Sequence, residues 1–299
     1  MSWQLATLNL ILRLGAKPRL RRTMTPEAAE RDFARCAPFV LRRPANLRHL
    51  VRPGGLHWIS AGPCAPRRVI LYFHGGGYVT GSPASHQGVM ARLSLLSGVE
   101  VCAPDYPLAQ RAPAPARLGA ALAAHGRLLD LGYAPEQIAL AGDSAGGGLA
   151  LCLLSALCGA GRPPAALVAF SPWTDLAGTG GSLASNAAAD PFLPVERFAD
   201  LARIVCGGRD PRDPGISPLY GAFPGCPPVL LTYALTEILA DDARRMAARL
   251  RSFGGAVTEQ TDPAAPHAWP LFDGWIPEAR ATLRRAAAFL QESFALTSR

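Results

Sequence analysis

The hexapeptide Gly142-Asp143-Ser144-Ala145-Gly146-Gly147 decides how the rest of the chain is interpreted. A mainly apolar run, 137–141, precedes it, and a stretch rich in small residues, 148–160, follows it. This order predicts a strand, a sharp turn with Ser144 at its apex, and a helix. The free N–H groups and the dipole at the start of that helix point to where negative charge would form beside the serine. The pattern is typical of a nucleophile elbow, and an ordinary glycine-rich corner is the alternative.

Strand-like apolar runs alternate with helix-like segments along most of the chain. We predict strands at 68–73, 99–103, 137–141, 165–170, 229–233 and 256–261, and an edge strand at 56–60. We predict helices near 85–96, 114–131, 240–252 and 278–295. Repeated strand–helix units imply an α/β fold with a mostly parallel sheet that is covered by helices on both faces. We interpret residues 1–299 as a single domain of this class.

Two segments fall outside this alternation. In residues 1–45 we predict two helices. The first has an apolar face made of Leu5, Leu8, Ile11 and Leu12, and the second runs from Pro26 to about Ala37. Nearly sixty residues separate the strands that end at Phe170 and begin at Val229, and they include a predicted helix at 195–205. An insertion of this length at the carboxyl edge of a sheet is a natural lid. We predict a cap over an apolar pocket, formed by about 1–45 and about 176–215.

Composition narrows the class of protein. Of the 299 residues, 49% are hydrophobic and 17% are charged, which is enough apolar material for a large core and excludes a disordered chain. The net charge of +8 arises within residues 1–52, where eleven Arg or Lys face three acidic residues. These basic residues are scattered and lack interleaved aromatics, so a solvated face is favoured over a surface for nucleic acid or membrane.

Cysteine use and hydropathy bear on the compartment. The seven cysteines are odd in number and contain no Cys-x-x-Cys, which favours a reducing, cytoplasmic location and disfavours a disulfide framework or a metal site. Residues 3–14 are apolar but short and include Arg13, so we predict an amphipathic helix there instead of a signal peptide. The uncharged stretch 144–161 contains several glycines and precedes two prolines, which fits a buried helix better than a membrane span.

A second glycine-rich motif, His74-Gly75-Gly76-Gly77-Tyr78, directly follows the predicted strand at 68–73. Three consecutive glycines cost backbone entropy, so they indicate a place where the chain approaches a ligand closely. In a hydrolase this place is the oxyanion hole, where loss of one donor costs about 10²- to 10³-fold in rate. A flexible loop without a role is the alternative.

A serine nucleophile needs an imidazole base, and the base needs a carboxylate that fixes its tautomer. Of the six histidines, only His267 lies downstream of Ser144, just past the last predicted strand. The acid is expected after the strand at 229–233, where Glu237 is followed by Asp241 and Asp242. The two aspartates fall in the first turn of a helix, where they would complement its dipole, so Glu237 is favoured. Asp262 is too close to His267 in sequence and is expected to shape that loop.

The combined motifs resemble the hormone-sensitive-lipase-like esterases of the α/β-hydrolase superfamily over nearly the whole chain. The motifs that carry the resemblance are His74-Gly-Gly-Gly77, Asp105-Tyr106-x-Leu108-Ala109, Gly142-Asp-Ser-Ala-Gly-Gly147, Ser171-Pro-Trp-Thr-Asp175, Asp190-Pro191, Asp210-Pro-Arg-Asp-Pro214, Ser217-Pro-Leu219 and His267-x-Trp269.

The resemblance implies a catalytic triad of Ser144, an acid and His267, with oxyanion donors at Gly76, Gly77 and Ala145. Glu237 is the favoured acid, and Asp241 and Asp242 stay open as alternatives. The resemblance also implies no cofactor, no metal, and hydrolysis of small-molecule carboxylic esters with short to medium acyl chains. Acyl transfer or amide hydrolysis by the same residues stays open, and so does a homodimer. A non-catalytic small-molecule receptor is disfavoured, because such a protein has no use for an intact base.

Two departures from the family pattern stand out. Glu237 occupies the position where most relatives carry aspartate, although some relatives use glutamate. In the segment that typically reads Tyr-Arg-Leu-Ala-Pro-Glu, this chain has Pro107, Gln110 and Arg111. The segment therefore lacks the carboxylate that in the family usually braces the region near the oxyanion loop.

Overall fold

The computed structural model describes residues 1–52 and 54–296; residues 53 and 297–299 of the predicted domain lie outside the described part. Its centre is an eight-stranded sheet whose strands are β1 (Arg48–Arg52), β2 (Leu56–Ser60), β3 (Val69–Phe73), β4 (Glu100–Pro104), β5 (Ile138–Asp143), β6 (Ala166–Phe170), β7 (Val229–Ala234) and β8 (Val257–Asp262). The spatial order is β1-β2-β4-β3-β5-β6-β7-β8. Strand β2 is antiparallel to both of its neighbours, and the remaining pairs are parallel.

The sheet is buried on both faces. Along β3, Leu71 and Phe73 join one apolar cluster while Ile70 and Tyr72 join another. This alternation follows from the two-residue period of a strand, which sends successive side chains to opposite faces. A parallel sheet buried in this way explains why the strands read as continuous apolar runs. The predicted α/β fold class is confirmed.

Two of the longer helices pack on one face of the sheet and three pack on the other. The longer helices of the main body are α4 (Pro83–Ser97), α5 (Pro115–Asp130), α6 (Ser144–Gly159), α9 (Ala240–Ser252) and α10 (Pro277–Leu296). Side chains of α4 and α10 pack in one apolar cluster, and side chains of α5, α6 and α9 pack in the other. None of the helices in the described ranges is long and apolar enough to cross a membrane.

The edge of the sheet differs from the prediction. Segment 56–60 was expected at the edge, but β2 pairs with β4 on one side and with β1 on the other. The strand at this edge is β1, which the sequence analysis missed, and β8 lies at the other edge. The side chains of β1 are exposed or half-buried, so Arg48–Arg52 shows no apolar alternation that would mark a strand.

The N-terminal arm (residues 1–45) contains the two predicted helical segments. The first is α1 (Trp3–Ile11), which continues through a π-helical turn at Leu12–Ala16 into α2 (Lys17–Arg22); the second is α3 (Pro26–Val40). The expected apolar face is only partly right, because Leu5 and Leu12 are buried but Ile11 is 61% exposed. At 3.6 residues per turn, Ile11 lies roughly 110° around the helix from the line of Leu5 and Leu12.

Basic residues of the arm are not all solvated. Lys17 is buried, and its Nζ donates to the carbonyl oxygens of Ala187 and Asp190 at 2.8 and 2.7 Å. Arg13 donates to the carbonyls of Ala188 and Ala189, both at 2.8 Å. These contacts tie the arm to the insertion between β6 and β7, which contains α7 (Ser182–Ser185) and α8 (Phe198–Cys206).

Candidate active site

Ser144 stands at the junction of β5 and α6. Its φ is +52°, in the left-handed region that a residue with a Cβ adopts only under strain. Gly146 makes the tight turn feasible, since a Cβ there would lie 2.1 Å from the carbonyl oxygen of Phe73. Ser144 is partly exposed between buried neighbours, so the turn presents its hydroxyl at the carboxyl edge of the sheet.

His267 reaches Ser144 from the loop that follows β8. Its Nε2 lies 2.8 Å from Ser144 Oγ across 123 residues of sequence. Asp262 accepts from the N–H groups of Ala264 and Ala265 at 2.8 and 2.7 Å, which shapes the first half of the loop. Beyond His267, the N–H of Ala268 donates to Ser171 Oγ at 3.0 Å. The imidazole is therefore held from both sides of the loop.

Glu237 is the carboxylate that meets the other nitrogen of the imidazole. Its Oε2 lies 2.7 Å from His267 Nδ1, and its Oε1 accepts from the N–H of Ala234 at 3.3 Å. The side chain is fully buried. Burial alone would lower the pKa of His267, but the hydrogen bond and the negative charge of Glu237 outweigh it, so this pKa is raised above its ordinary value of 6.5.

The two competing aspartates have other partners. Asp241 accepts from the N–H of Ser182 at 2.9 Å, and Asp242 accepts from the N–H groups of Thr174 and Asp175 at 2.7 and 2.8 Å. Both stand in the first turn of α9. The structure brings Glu237, and neither Asp241 nor Asp242, to His267.

The glycine loop (residues 74–79) follows β3, the strand that pairs with β5, which leads to Ser144. Asp143 Oδ1 accepts from the N–H of Gly75 at 3.1 Å, and the N–H of Thr80 donates to the carbonyl of Gly76 at 3.0 Å. In the described part of the chain, the N–H groups of Gly76 and Gly77 donate to no protein atom. The N–H of Ala145 belongs to the first turn of α6, where a helix supplies no acceptor. Gly76 and Gly77 line the same cavity as Ser144.

A cavity of about 400 Å³ opens above these groups. Ser144, His267 and Gly77 form part of its wall, and most of the remaining wall is apolar. The arm contributes residues such as Phe33, and the insertion contributes residues such as Phe198. An apolar cavity with a few converging polar groups suits a small ligand that carries one polar, reactive centre.

Asp190 is a residue that sequence reasoning left without a role. Its Oδ2 accepts from the N–H of Ile238 at 2.9 Å, and its Oδ1 accepts from the N–H of Phe192 at 2.8 Å. It therefore fixes the turn that carries Glu237. The sequence signal that could have pointed to Asp190 is that it is the one charged residue in the segment 176–195.

No group of three or more His, Cys, Asp or Glu within 1–52 and 54–296 has the arrangement of a metal site. All seven cysteines, which lie in these ranges, are unpaired.

Comparisons with known proteins agree with this fold. The family model for the alpha/beta hydrolase fold matches residues 70–271. An acetyl-hydrolase of Streptomyces hygroscopicus is 40% identical over 225 residues, which cover 75% of each chain. The crystal structure of an esterase from the bacterial hormone-sensitive lipase family superposes with a TM-score of 0.91 at 33% identity and covers 98% of this chain and 99% of that one. The crystal structure of EstE5 soaked with p-nitrophenyl butyrate superposes with a TM-score of 0.93 at 29% identity. The match covers 99% of this chain and 100% of that one.

Proposed function

The chain belongs to the hormone-sensitive-lipase-like family of carboxylic ester hydrolases, and from this premise we propose that it acts through an acyl-enzyme on Ser144. The observation that carries the proposal is the line of hydrogen bonds from Ser144 Oγ to His267 Nε2 and from His267 Nδ1 to Glu237 Oε2. This line ends in the wall of the apolar cavity. In the proposed reaction, Ser144 is the nucleophile, His267 is the general base and Glu237 is the orienting acid.

Acylation begins when His267 Nε2 takes the proton of the Ser144 hydroxyl as Oγ bonds to the carbonyl carbon of the ester. The carbonyl π electrons move to oxygen, and the N–H groups of Gly76, Gly77 and Ala145 stabilise this oxyanion. Glu237 stabilises the imidazolium. The C–O bond of the ester then breaks, and the departing alkoxide takes the proton from His267.

Deacylation repeats these steps with water as the nucleophile. His267 accepts a proton from water while the water oxygen bonds to the acyl carbon, and the second tetrahedral intermediate uses the same three donors. When the bond to Ser144 Oγ breaks, His267 returns its proton to the serine. The products are one carboxylic acid and one alcohol.

We further propose that the arm (about 1–45) and the insertion (about 176–215) form one cap that selects the acyl chain. Support comes from the cavity wall, to which both segments contribute, and from the bonds of Arg13 and Lys17 to the insertion. The homodimer, the lack of nucleic-acid binding and the cytoplasmic location stay predictions from the sequence.

Acyl-chain length tests the proposed substrate class. We expect kcat/KM for p-nitrophenyl esters to rise from acetate to butyrate or hexanoate and to fall steeply by palmitate. Each methylene that enters the apolar cavity contributes about 0.8 kcal/mol, or about fourfold, until the chain meets the end of the cavity. The control is the anilide of the preferred acid, expected to react far more slowly. A preference for palmitate would contradict the proposed size range, and equal rates for ester and anilide would favour amide hydrolysis.

Acyl transfer is distinguished by the products. With a short alcohol present in excess, hydrolysis yields free acid as the main product, whereas an acyltransferase yields mainly the new ester. Chromatography of the reaction mixture measures this ratio.

The pH profile tests the role of His267. Only the neutral imidazole can accept the proton of Ser144, so kcat/KM is expected to fall as pH decreases through the raised pKa of His267, by about tenfold per pH unit. The midpoint is expected above pH 6.5, because Glu237 favours the protonated form. Initial rates with p-nitrophenyl butyrate, read at the isosbestic wavelength of p-nitrophenol and its anion, measure the profile. A rate independent of pH across this range would exclude His267 as the base.

A further inference from the structure

Helix α3 of the arm is linked to the glycine loop through Glu30 and Gln110. Gln110 Nε2 donates to Glu30 Oε2 and to the carbonyl of Val79, both at 3.0 Å, and Arg111 donates to Glu30 Oε1 at 2.5 Å. Both partners of Nε2 are acceptors, which sets the orientation of the amide. Gln110 and Arg111 are two positions at which this chain departs from the family segment. A carboxylate from a different part of the chain, 80 residues earlier, thus reaches the region that the segment no longer braces.

Helix α3 also reaches the other end of the glycine loop. The ring of Phe33 stacks on His86 with a centroid distance of 5.7 Å. His86 Nε2 lies 3.6 Å from Asp143 Oδ2, and Asp143 Oδ1 accepts from the N–H of Gly75. His86 and Asp143 are each 1% exposed, so the contact between these two residues is enclosed by protein.

The two contact chains bracket the N–H groups of Gly76 and Gly77. Glu30 and Phe33 are three residues apart on α3 and therefore lie on one face of the helix. The contacts from Phe33 end at Gly75, directly before Gly76 and Gly77. The contacts from Glu30 end at Val79, which is separated from Gly77 by one residue. A closely packed interior transmits small displacements, so a shift of α3 reaches both ends of the loop.

We propose that α3 positions the oxyanion donors, with Glu30 acting through Gln110 and Phe33 acting through His86 and Asp143. The proposal rests on the proposed function, because the donors matter only if Ser144 forms a tetrahedral intermediate. It makes Glu30 and Gln110 positioning residues, neither of which touches the reacting atoms. The esterase is then fully competent only while the arm is docked, which couples closure of the cap to the assembly of the site.

The substitutions Glu30→Ala and Gln110→Ala test this coupling with p-nitrophenyl acetate, the ester with the smallest acyl group of the series. We expect kcat to fall about tenfold in each, part of the 10²- to 10³-fold that loss of a whole donor costs. KM is expected to change less than about twofold, because ground-state binding is retained. The double variant is expected to be no slower than the slower single variant, because each substitution breaks the same series of contacts from Glu30 through Gln110 to Val79.

Two further variants separate positioning from mere attachment of the arm. Glu30→Gln keeps a carbonyl acceptor for Gln110 or Arg111 and is expected to recover most of the rate. Glu27→Ala removes an exposed carboxylate from the first turn of the same helix and should leave kcat unchanged. Melting temperatures of all variants show whether α3 stays folded at the assay temperature.

Phenylboronic acid reports on the oxyanion site directly. Ser144 Oγ bonds to the trigonal boron, its proton passes to His267, and the tetrahedral adduct places a boron-bound oxygen where the oxyanion forms. We expect the affinity of Glu30→Ala and Gln110→Ala for this probe to fall by the same factor as kcat/KM. A structural role alone would leave this affinity at the value of Glu27→Ala.

The outcomes are distinct. If Glu30→Ala and Gln110→Ala match Glu27→Ala in kcat and in boronate affinity while Ser144→Ala is inactive, the positioning proposal is wrong and the proposed function stands. If Ser144→Ala stays active, the proposed function itself fails. Parallel losses in kcat and boronate affinity with unchanged KM support the proposal.

Discussion

Replacing Ser144 by alanine is expected to lower kcat for p-nitrophenyl butyrate by about 10⁵- to 10⁶-fold, the loss typical of a missing serine nucleophile. Without Oγ the acyl-enzyme cannot form, and water in the cavity is left to attack without covalent help. The donors of the glycine loop and the cavity stay intact, so KM should change little. Steady-state assays at high enzyme concentration measure the residual rate.

The matched control is Ser155→Ala, which removes a serine hydroxyl from the same helix. Ser155 Oγ donates to the carbonyl of Ala222 at 2.8 Å and lies away from the cavity wall. We expect this variant to keep wild-type activity. Circular dichroism and melting temperature should show that both variants are folded. Retained hydrolysis by folded Ser144→Ala would refute the acyl-enzyme, and a wild-type protein that binds esters without cleaving them would favour the receptor alternative.

Glu237→Gln is expected to lower kcat by about 10³- to 10⁴-fold, as in other enzymes that lose the triad carboxylate. The carboxylate accepts from His267 Nδ1, whereas an amide can present its NH₂ group and favour the tautomer whose proton sits on Nε2. In that tautomer the imidazole cannot accept the proton of Ser144. Loss of the negative charge should also lower the pKa of His267, so the remaining activity should extend to lower pH than in the wild type.

Asp241→Asn is the matched control for this substitution. Asp241 carries the competing carboxylate, and its partners, Ser182 and Arg244, take no part in the hydrogen bonds that join Ser144, His267 and Glu237. We expect a rate within about threefold of the wild type, as for a change remote from the reacting atoms. If Asp241→Asn or Asp242→Asn abolishes activity while Glu237→Gln stays active, Glu237 is not the acid.

Local patterns predicted most of the secondary structure. Strands β3 and β6 are short, continuous apolar runs, β4, β5 and β7 are mainly apolar, and the turn at Ser144 is marked by glycines at fixed offsets. Such patterns involve residues that are close in sequence, so they can be recognised without a structure. Strand β1 was missed because it lies at the exposed edge of the sheet, where no buried face imposes an alternation.

Parts of the site could be predicted from chain order. Parallel strands bring their carboxyl ends to the same edge, so a histidine after the last strand and an acid after the strand before it become neighbours of the serine. The order of strands and residues along the chain does not by itself distinguish Glu237 from Asp241 and Asp242. The geometry separates them, since one turn of backbone directs Glu237 to His267 while the start of α9 directs the aspartates elsewhere.

The sequence by itself determined most of the sheet, the elbow, the candidate serine and histidine, and three candidate acids of which Glu237 was favoured, because each depends on residue type and spacing within a few positions or on strand order. Tertiary structure alone decided which groups hold these residues in place. Asp190 beneath the acid turn, and Glu30 beside Gln110, meet their partners across 48 and 80 residues. Such contacts form only where separate elements pack together, and no local pattern records them.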